Sequence, residues 1–294
     1  MTANRRLDQI NQRAQNLGLP KKYFQKMVYL ESFLKQVSQS TYRDDFILKG
    51  GFEVQALLGV ESRVTEDLDS TLTGHNLDKE TVSSVLQDIF KQNPDEPVQF
   101  SLRTIKDEML GHEYPGMRVS IDLNMEGVKD NIKIDLSTGD PIVPGPVKIR
   151  QKMLMTGEPG FEMKAYPTEQ IVADKMVALA RLGGVNTRGK DLFDLYAIRT
   201  TLPKLNRTNL SLGFLQKSKA DKLTVKPGEL LTRIDELSQE MPIKRAWKVY
   251  QERSDYAKDI PFEDTIKAAK GYAKDILVGM QMLRQREQKR YLDR

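Results

Sequence analysis

The chain has 294 residues, 39% of them hydrophobic and 30% charged, which excludes a disordered polymer and leaves enough apolar surface for a core. Cysteine is absent and histidine occurs only at 75 and 112, so disulfide frameworks, thiolate zinc sites and cysteine nucleophiles are excluded. Any metal must be held by carboxylates, which favours Mg2+ or Mn2+, and the net charge of +5 points weakly to an anionic partner.

Met1–Asn16 is polar and basic with no apolar leader core, and no apolar run approaches the ~18–20 residues of a membrane helix. A cytoplasmic protein with no membrane partner is the expectation. Asn4–Gln39 reads as two helices broken at Gly18-Leu19-Pro20, the longer one with Phe24, Met27, Leu30, Phe33 and Leu34 at helical spacing. Phe46-Ile47-Leu48 is a short strand, followed by Lys49-Gly50-Gly51 and a helical run, Phe52–Leu58. Glu66–Leu72 is a second strand and Lys79–Lys91 a helix. Arg118–Met125 and Asn131–Ser137 are strands joined by a turn around Glu126–Asp130. Gly139–Pro146, rich in Pro and Gly, divides an expected domain of residues 1–146 from one of residues 147–294. In the second part Thr168–Leu182, Lys190–Thr201 and Asp255–Arg290 are helical, whereas Thr208–Gly228 reads as polar and less regular. The fold class is α+β: a mixed sheet with flanking helices, followed by a mostly helical C-terminal domain.

The chemistry concentrates between Leu48 and Asp69. Paired glycines between a strand and a helix let a bulky anion approach the backbone, where the helix N-terminus presents free N–H groups. On a strand, Asp67 and Asp69 share one face at a spacing of roughly 6.5–7 Å. Two carboxylates so placed reach a pair of divalent ions about 3.5–4 Å apart, as in-line phosphoryl displacement requires. Each piece alone is commonplace: a D-x-D pair is most often a solvated strand end. In the order strand, Gly-Gly, helix, Arg63, D-x-D strand, they point to nucleotidyl transfer. Alternation places Asp135 on the face opposite Ile132, Ile134 and Leu136, where it could supply a third carboxylate; Asp122 competes by the same rule. On the helices, Lys175 follows the cap at Thr168, and Asp191 and Asp194 lie at i, i+3; each alone reads as an ordinary charged helix residue.

These blocks resemble the AbiEii/AbiGii-type nucleotidyltransferases, toxins of type IV toxin–antitoxin and abortive-infection systems. Four landmarks between Leu48 and Tyr196 carry the likeness: Lys-Gly-Gly; Arg-x-Thr-x-Asp-Leu-Asp; Ile-Asp-Leu-Ser-Thr-Gly-Asp; and Tyr-Pro-x-Glu-x-x-x-Ala-Asp-Lys with Asn-Thr-Arg-x-Lys-Asp-x-x-Asp. Gly50-Gly51 replaces the Gly-Ser of wider nucleotidyltransferases, and Asp174 stands where the family often has Glu. The resemblance implies a nucleotidyltransferase-like sheet and an NTP substrate, with Asp67, Asp69 and Asp135 as metal ligands and Asp135 preferred over Asp122. It implies that Lys175 meets the nucleotide phosphates and that Asp191 is a base or positioning group. Lys49, Gly50, Gly51, Arg63, Thr65, Arg188 and Lys190 match the nucleotide-binding motifs, and Asp194 matches without an assigned role. A tRNA or other RNA acceptor follows in the same way, as does a cognate antitoxin that forms no stable complex. The competing readings are an aminoglycoside-type small-molecule nucleotidyltransferase and a non-catalytic nucleotide-binding relative.

Two basic clusters remain. Arg284, Arg286, Lys289, Arg290 and Arg294, against Glu287 and Asp293, suit an RNA backbone as well as they suit a solvated helix tail. Lys244, Arg245 and Lys248 surround Trp247, which is either a base-stacking platform or, as favoured here, a core residue.

Overall fold

The computed structural model describes residues 3–108, 116–182, 189–202 and 204–292. Two compact units divide the chain: Met1–Asp140 with Pro146–Tyr166, and Pro141–Gly145 with Pro167–Arg294.

The first unit opens with α1 (Ala3–Asn16) and α2 (Lys21–Gln39). Next come β1 (Phe46–Lys49), α3 (Gly50–Leu58), β2 (Asp67–Leu72) and α4 (Lys79–Lys91). The strands β3 (Val98–Glu108), β4 (Gly116–Met125), β5 (Val128–Ser137), β6 (Val147–Lys152) and β7 (Pro159–Ala165) follow. Among the described residues these form one mixed sheet in the order β3-β4-β5-β2-β1-β7-β6. The pairings β2/β5 and β1/β7 are parallel and the others antiparallel.

One face of the sheet is apolar because alternate positions are Leu48, Leu68, Val119, Ile121, Ile132 and Ile134, all buried. Phe24, Met27, Leu30 and Leu34 of α2 and Val82, Leu86 and Ile89 of α4 join the same core. Phe33 meets both Phe46 and Phe100 edge-on, at 6.5 and 5.9 Å between ring centroids. Residues 147–165, assigned above to the second domain, instead complete this sheet as β6 and β7. The Pro/Gly-rich stretch does leave the first unit at Pro141, but the chain returns to it at Pro146.

The second unit is built from α5 (Thr168–Leu182), α6 (Gly189–Thr201), α7 (Arg207–Ala220), α8 (Leu230–Gln239), α9 (Met241–Arg253) and α10 (Phe262–Leu292). The stretch read as irregular, 208–228, is helical as far as Ala220. Asn206 caps α7 by accepting from the backbone N–H of Thr208 and Asn209, and Leu210 and Phe214 bury its inner side. Close approach replaces apolar bulk there: a side chain at Gly279 of α10 would meet the carbonyl oxygen of Arg207 at 2.1 Å. Trp247 is buried and stacks on Tyr250 at 5.9 Å, so it is a core residue and not an exposed platform for bases. Among the described residues no helix is long and apolar enough to cross a membrane.

Candidate active site

The β-strand register places the acidic residues of the first unit. Lys49 of β1 pairs with Asp69 of β2, Asp69 with Asp135 of β5, and Asp135 with Arg118 of β4. Cross-strand partners point to the same side, so the sheet face opposite Leu68 carries a lateral row of cation, carboxylate, carboxylate, cation. Neighbouring strands lie about 4.8 Å apart, which puts Asp69 and Asp135 next to each other. Asp67 lies one pleat further along the same face and is exposed, with no side-chain partner among the described residues. Asp122, the competitor, pairs with Asn131 and ion-pairs with Arg103 at 3.5 Å; its strand, β4, is not adjacent to β2.

Gly50 fits this row by having no side chain. Its φ is +71°, and a Cβ there would lie 2.2 Å from Asp69 Oδ2 and 2.9 Å from its Cγ. The Asp69 carboxylate therefore sits against the backbone at the first residue of α3, where N–H groups lack helical partners. Gly51 makes a second close approach: a Cβ would lie 2.9 Å from Thr65 Oγ1 and 3.3 Å from Arg63 Nη2. Arg63 and Thr65, expected among nucleotide contacts, are only 4% and 8% exposed. The Arg63 guanidinium donates to the Val64 carbonyl, and Thr65 Oγ1 contacts the Asp67 backbone. As they stand, these two side chains shape the glycine turn and the start of β2.

Lys49 is also engaged. Its ammonium pairs with Asp140 at 2.7 Å, donates to Ser137 Oγ, and lies 5.7 Å from the Tyr166 ring centroid. Tyr166 in turn bonds Thr71 at 2.7 Å. Ser137, Asp140 and Tyr166 fall within the sequence landmarks without a chemical role of their own, and in the structure they frame Lys49. Arg118 lies outside the four sequence landmarks. It forms a two-pronged pair with Asp135, Nε to Oδ1 and Nη2 to Oδ2 at 2.8 Å each. Its only sequence signal was position: it lies on the polar phase of a strand that antiparallel pairing sets beside Asp135.

The oxygen-only donor set suits a hard cation, and Asp67 and Asp69 offer two carboxylates on one face. Among the described residues no three metal-ligating side chains converge closely enough to hold a metal. Asp135 is paired with Arg118, while Asp67 and Asp69 stand on the same face of β2 as the carboxylates that would meet an ion there.

The second unit brings together Lys175, Asp191 and Asp194. Lys175 Nζ lies 3.1 Å from Asp191 Oδ1 and 2.6 Å from Asp194 Oδ2, with side-chain exposures of 11%, 6% and 0%. The i, i+3 pair on α6 thus grips a lysine of α5, and Lys175 is no solvated helix lysine. Asp191 Oδ2 is buried with no hydrogen-bond partner among the described residues, the kind of group that awaits a donor. A side chain at Gly189 would lie 2.7 Å from the Ala246 carbonyl oxygen, which explains the glycine before Lys190. Lys190 is exposed; Arg188 lies outside the described residues.

The family model described as nucleotidyl transferase AbiEii toxin, type IV TA system, matches residues 32–268. No curated protein matches the chain. MenT4, a nucleotidyltransferase toxin of Mycobacterium tuberculosis, is similar in fold: 13% identity, TM-score 0.52, covering 90% of this chain and 97% of that one. JHP933 from Helicobacter pylori is 16% identical with a TM-score of 0.47, covering 94% and 100% of the two chains. With the match spanning most of its length, the chain belongs to the AbiEii nucleotidyl transferase toxin family of type IV toxin–antitoxin systems.

Proposed function

We propose that this nucleotidyltransferase moves a nucleoside monophosphate from an NTP to an RNA acceptor, with tRNA as the foremost candidate, and that the modification halts growth during phage infection. The observation that carries the reading is the interlock of Asp69 with Gly50: a carboxylate seated at a helix N-terminus, beside Asp67 and Asp135, where only glycine leaves room. A divalent cation, Mg2+ or Mn2+, held by Asp67 and Asp69 would offset the charge of the triphosphate. Asp135 would be available to such a cation only on release from Arg118.

In this scheme the acceptor hydroxyl oxygen bonds the α-phosphorus, the bond to the α–β bridging oxygen breaks, and pyrophosphate leaves with that oxygen. Gly50 and Gly51 admit the phosphates to the α3 N-terminus. Lys175 supplies positive charge for the phosphates, and Asp191, whose Oδ2 is buried with no hydrogen-bond partner among the described residues, takes the proton of the acceptor hydroxyl or orients it. A cognate antitoxin encoded alongside the toxin would restrain it without a stable complex.

The test is Asp69→Ala with purified protein, divalent cation, NTPs and total RNA, reading pyrophosphate release and RNA labelling. A loss of ~10²-fold or more, with the thermal unfolding transition retained, is the expected result. Wild-type turnover in that variant would defeat the assignment. Release of pyrophosphate with labelling of a small cationic acceptor and not of RNA would move the function to small-molecule transfer.

A further inference from the structure

The surface of the second unit carries an assembly of cations that the reaction scheme does not use. A cavity of about 740 Å3 is lined by Arg199, Lys244, Lys267, Lys270 and Lys274, with Glu263 as its carboxylate. A second, of about 540 Å3, shares Arg199 and adds Lys204, Arg207 and Arg286, with Asp275. The two hold eight cations against two carboxylates. That net +6 among the lining residues is comparable with the +5 of the entire chain, although Lys270 also pairs with Asp235 beyond the lining.

The groove is built and not incidental. Positions 267, 270 and 274 recur at helical spacing along one side of α10 over about 10 Å, and Asp275, Met282 and Arg286 line the adjacent side, so that the two cavities flank the helix and meet at Arg199. There, Arg199 Nη1 and Arg207 Nε hold opposite oxygens of Asp275, at 2.6 and 2.7 Å. The Arg199 guanidinium lies 4.8 Å from the Tyr272 ring centroid. Gly271 makes room for it, since a Cβ there would lie 2.7 Å from Arg199 Cζ. Two guanidinium groups are thus pre-aimed, and ammonium groups flank them on one side. Among the described residues Lys244, Lys267 and Lys274 have no carboxylate partner, and all three are exposed.

We propose that this groove along α10 is the seat of the RNA acceptor's phosphate backbone. A single small anion needs three or four donors at one point; cations spread over two cavities that share Arg199 match a run of phosphates. Such contacts position a substrate without reading its sequence, leaving choice of the acceptor end to the reacting residues. The inference rests on the RNA-acceptor reading above.

The test compares two triple variants of the full chain: Lys244→Gln/Lys267→Gln/Lys274→Gln in the groove, and Lys21→Gln/Lys22→Gln/Lys91→Gln on the first unit. Each is titrated into a fluorescein-labelled RNA hairpin at several salt concentrations, and wild type is assayed for label transfer to total RNA. Losing three phosphate contacts should reduce the slope of log K against log salt by about 2 and weaken binding roughly hundredfold at 0.1 M salt. The control triple should bind like wild type. Equal slopes for wild type and the groove variant, with RNA still labelled by wild type, would overturn the groove and leave the RNA reading standing. Wild type that neither binds nor labels RNA would overturn both. A DNA hairpin or poly-glutamate that binds the groove more tightly than RNA would overturn the RNA assignment.

Discussion

Gly50→Ala is the sharpest single perturbation of the site. Two costs add in the folded state. The residue must keep a φ of +71°, which for a side chain bearing Cβ costs about 1–2 kcal/mol. The methyl carbon would also lie 2.2 Å from Asp69 Oδ2, more than 1 Å inside ordinary contact, and also presses on Asp69 Cγ and Cβ at 2.9 and 3.0 Å. Relieving that overlap by turning the carboxylate or shifting α3 is an overpacking cost of about 1–3 kcal/mol. The sum is a stability loss of about 2–5 kcal/mol. A displacement of Asp69 by ~1 Å from its reacting position costs about 10²-fold in rate. Urea unfolding and NMP-transfer assays on the same preparation read both. A double-mutant cycle with Asp69→Ala separates the terms, because removing the carboxylate relieves the overlap but not the backbone strain. Full activity and unchanged stability in Gly50→Ala would refute the claim that the glycine exists to admit the carboxylate.

Other perturbations probe separate parts of the account. Lys175→Met leaves Asp191 and Asp194 buried without their cation and should destabilise the protein by about 3–5 kcal/mol in urea unfolding; a change under about 1 kcal/mol would show that the trio is not holding α5 to α6. Arg118→Ala releases Asp135 from an exposed two-pronged pair of about 1 kcal/mol at most, so Mn2+ should bind up to about fivefold more tightly by calorimetry; unchanged affinity would remove Asp135 from the ligand set. Burial pushes the Glu31 carboxyl up to about 7 from an ordinary 4.5, although it accepts from the Leu154 N–H at 2.8 Å. Its folded form therefore binds a proton that the unfolded chain releases, so its contribution is greatest below about pH 4.5, declines as pH rises to 7 and is flat above. Glu31→Gln should accordingly be more stable than wild type at pH 8, by up to about 3 kcal/mol, with the advantage gone at pH 4.5. Equal pH dependence in urea unfolding of the two proteins would contradict this.

What the sequence made legible was local. Alternation put Asp67 and Asp69 on one face and the helix-breaking glycines where α3 begins, and the longer helices α2, α4 and α5 follow their apolar spacing. The choice between Asp122 and Asp135 was not local: it depends on β2 pairing in parallel with β5, more than 60 residues away, and alternation within β4 or β5 carries no trace of register. Strand β3 escaped because its apolar phase, Val98, Phe100, Leu102, shifts at a bulge after Leu102 and resumes at Ile105. Strands β6 and β7 alternate weakly, being short and rich in lysine and glycine at the end of the sheet. Helix α7 hides behind small residues that permit close packing in place of an apolar stripe. Lys175, read alone, is an ordinary helix lysine; its partners lie on another helix and emerge only when both are folded.

The central claim is tested most directly by incubating the wild-type chain and Asp69→Ala with Mg2+, total RNA and each of the four NTPs, labelled in turn on the α- and γ-phosphate. The account predicts that α-label from at least one NTP becomes covalently attached to RNA by wild type, that γ-label never does, and that Asp69→Ala attaches neither. Transfer of γ-label, or α-label transfer undiminished in Asp69→Ala, would contradict it.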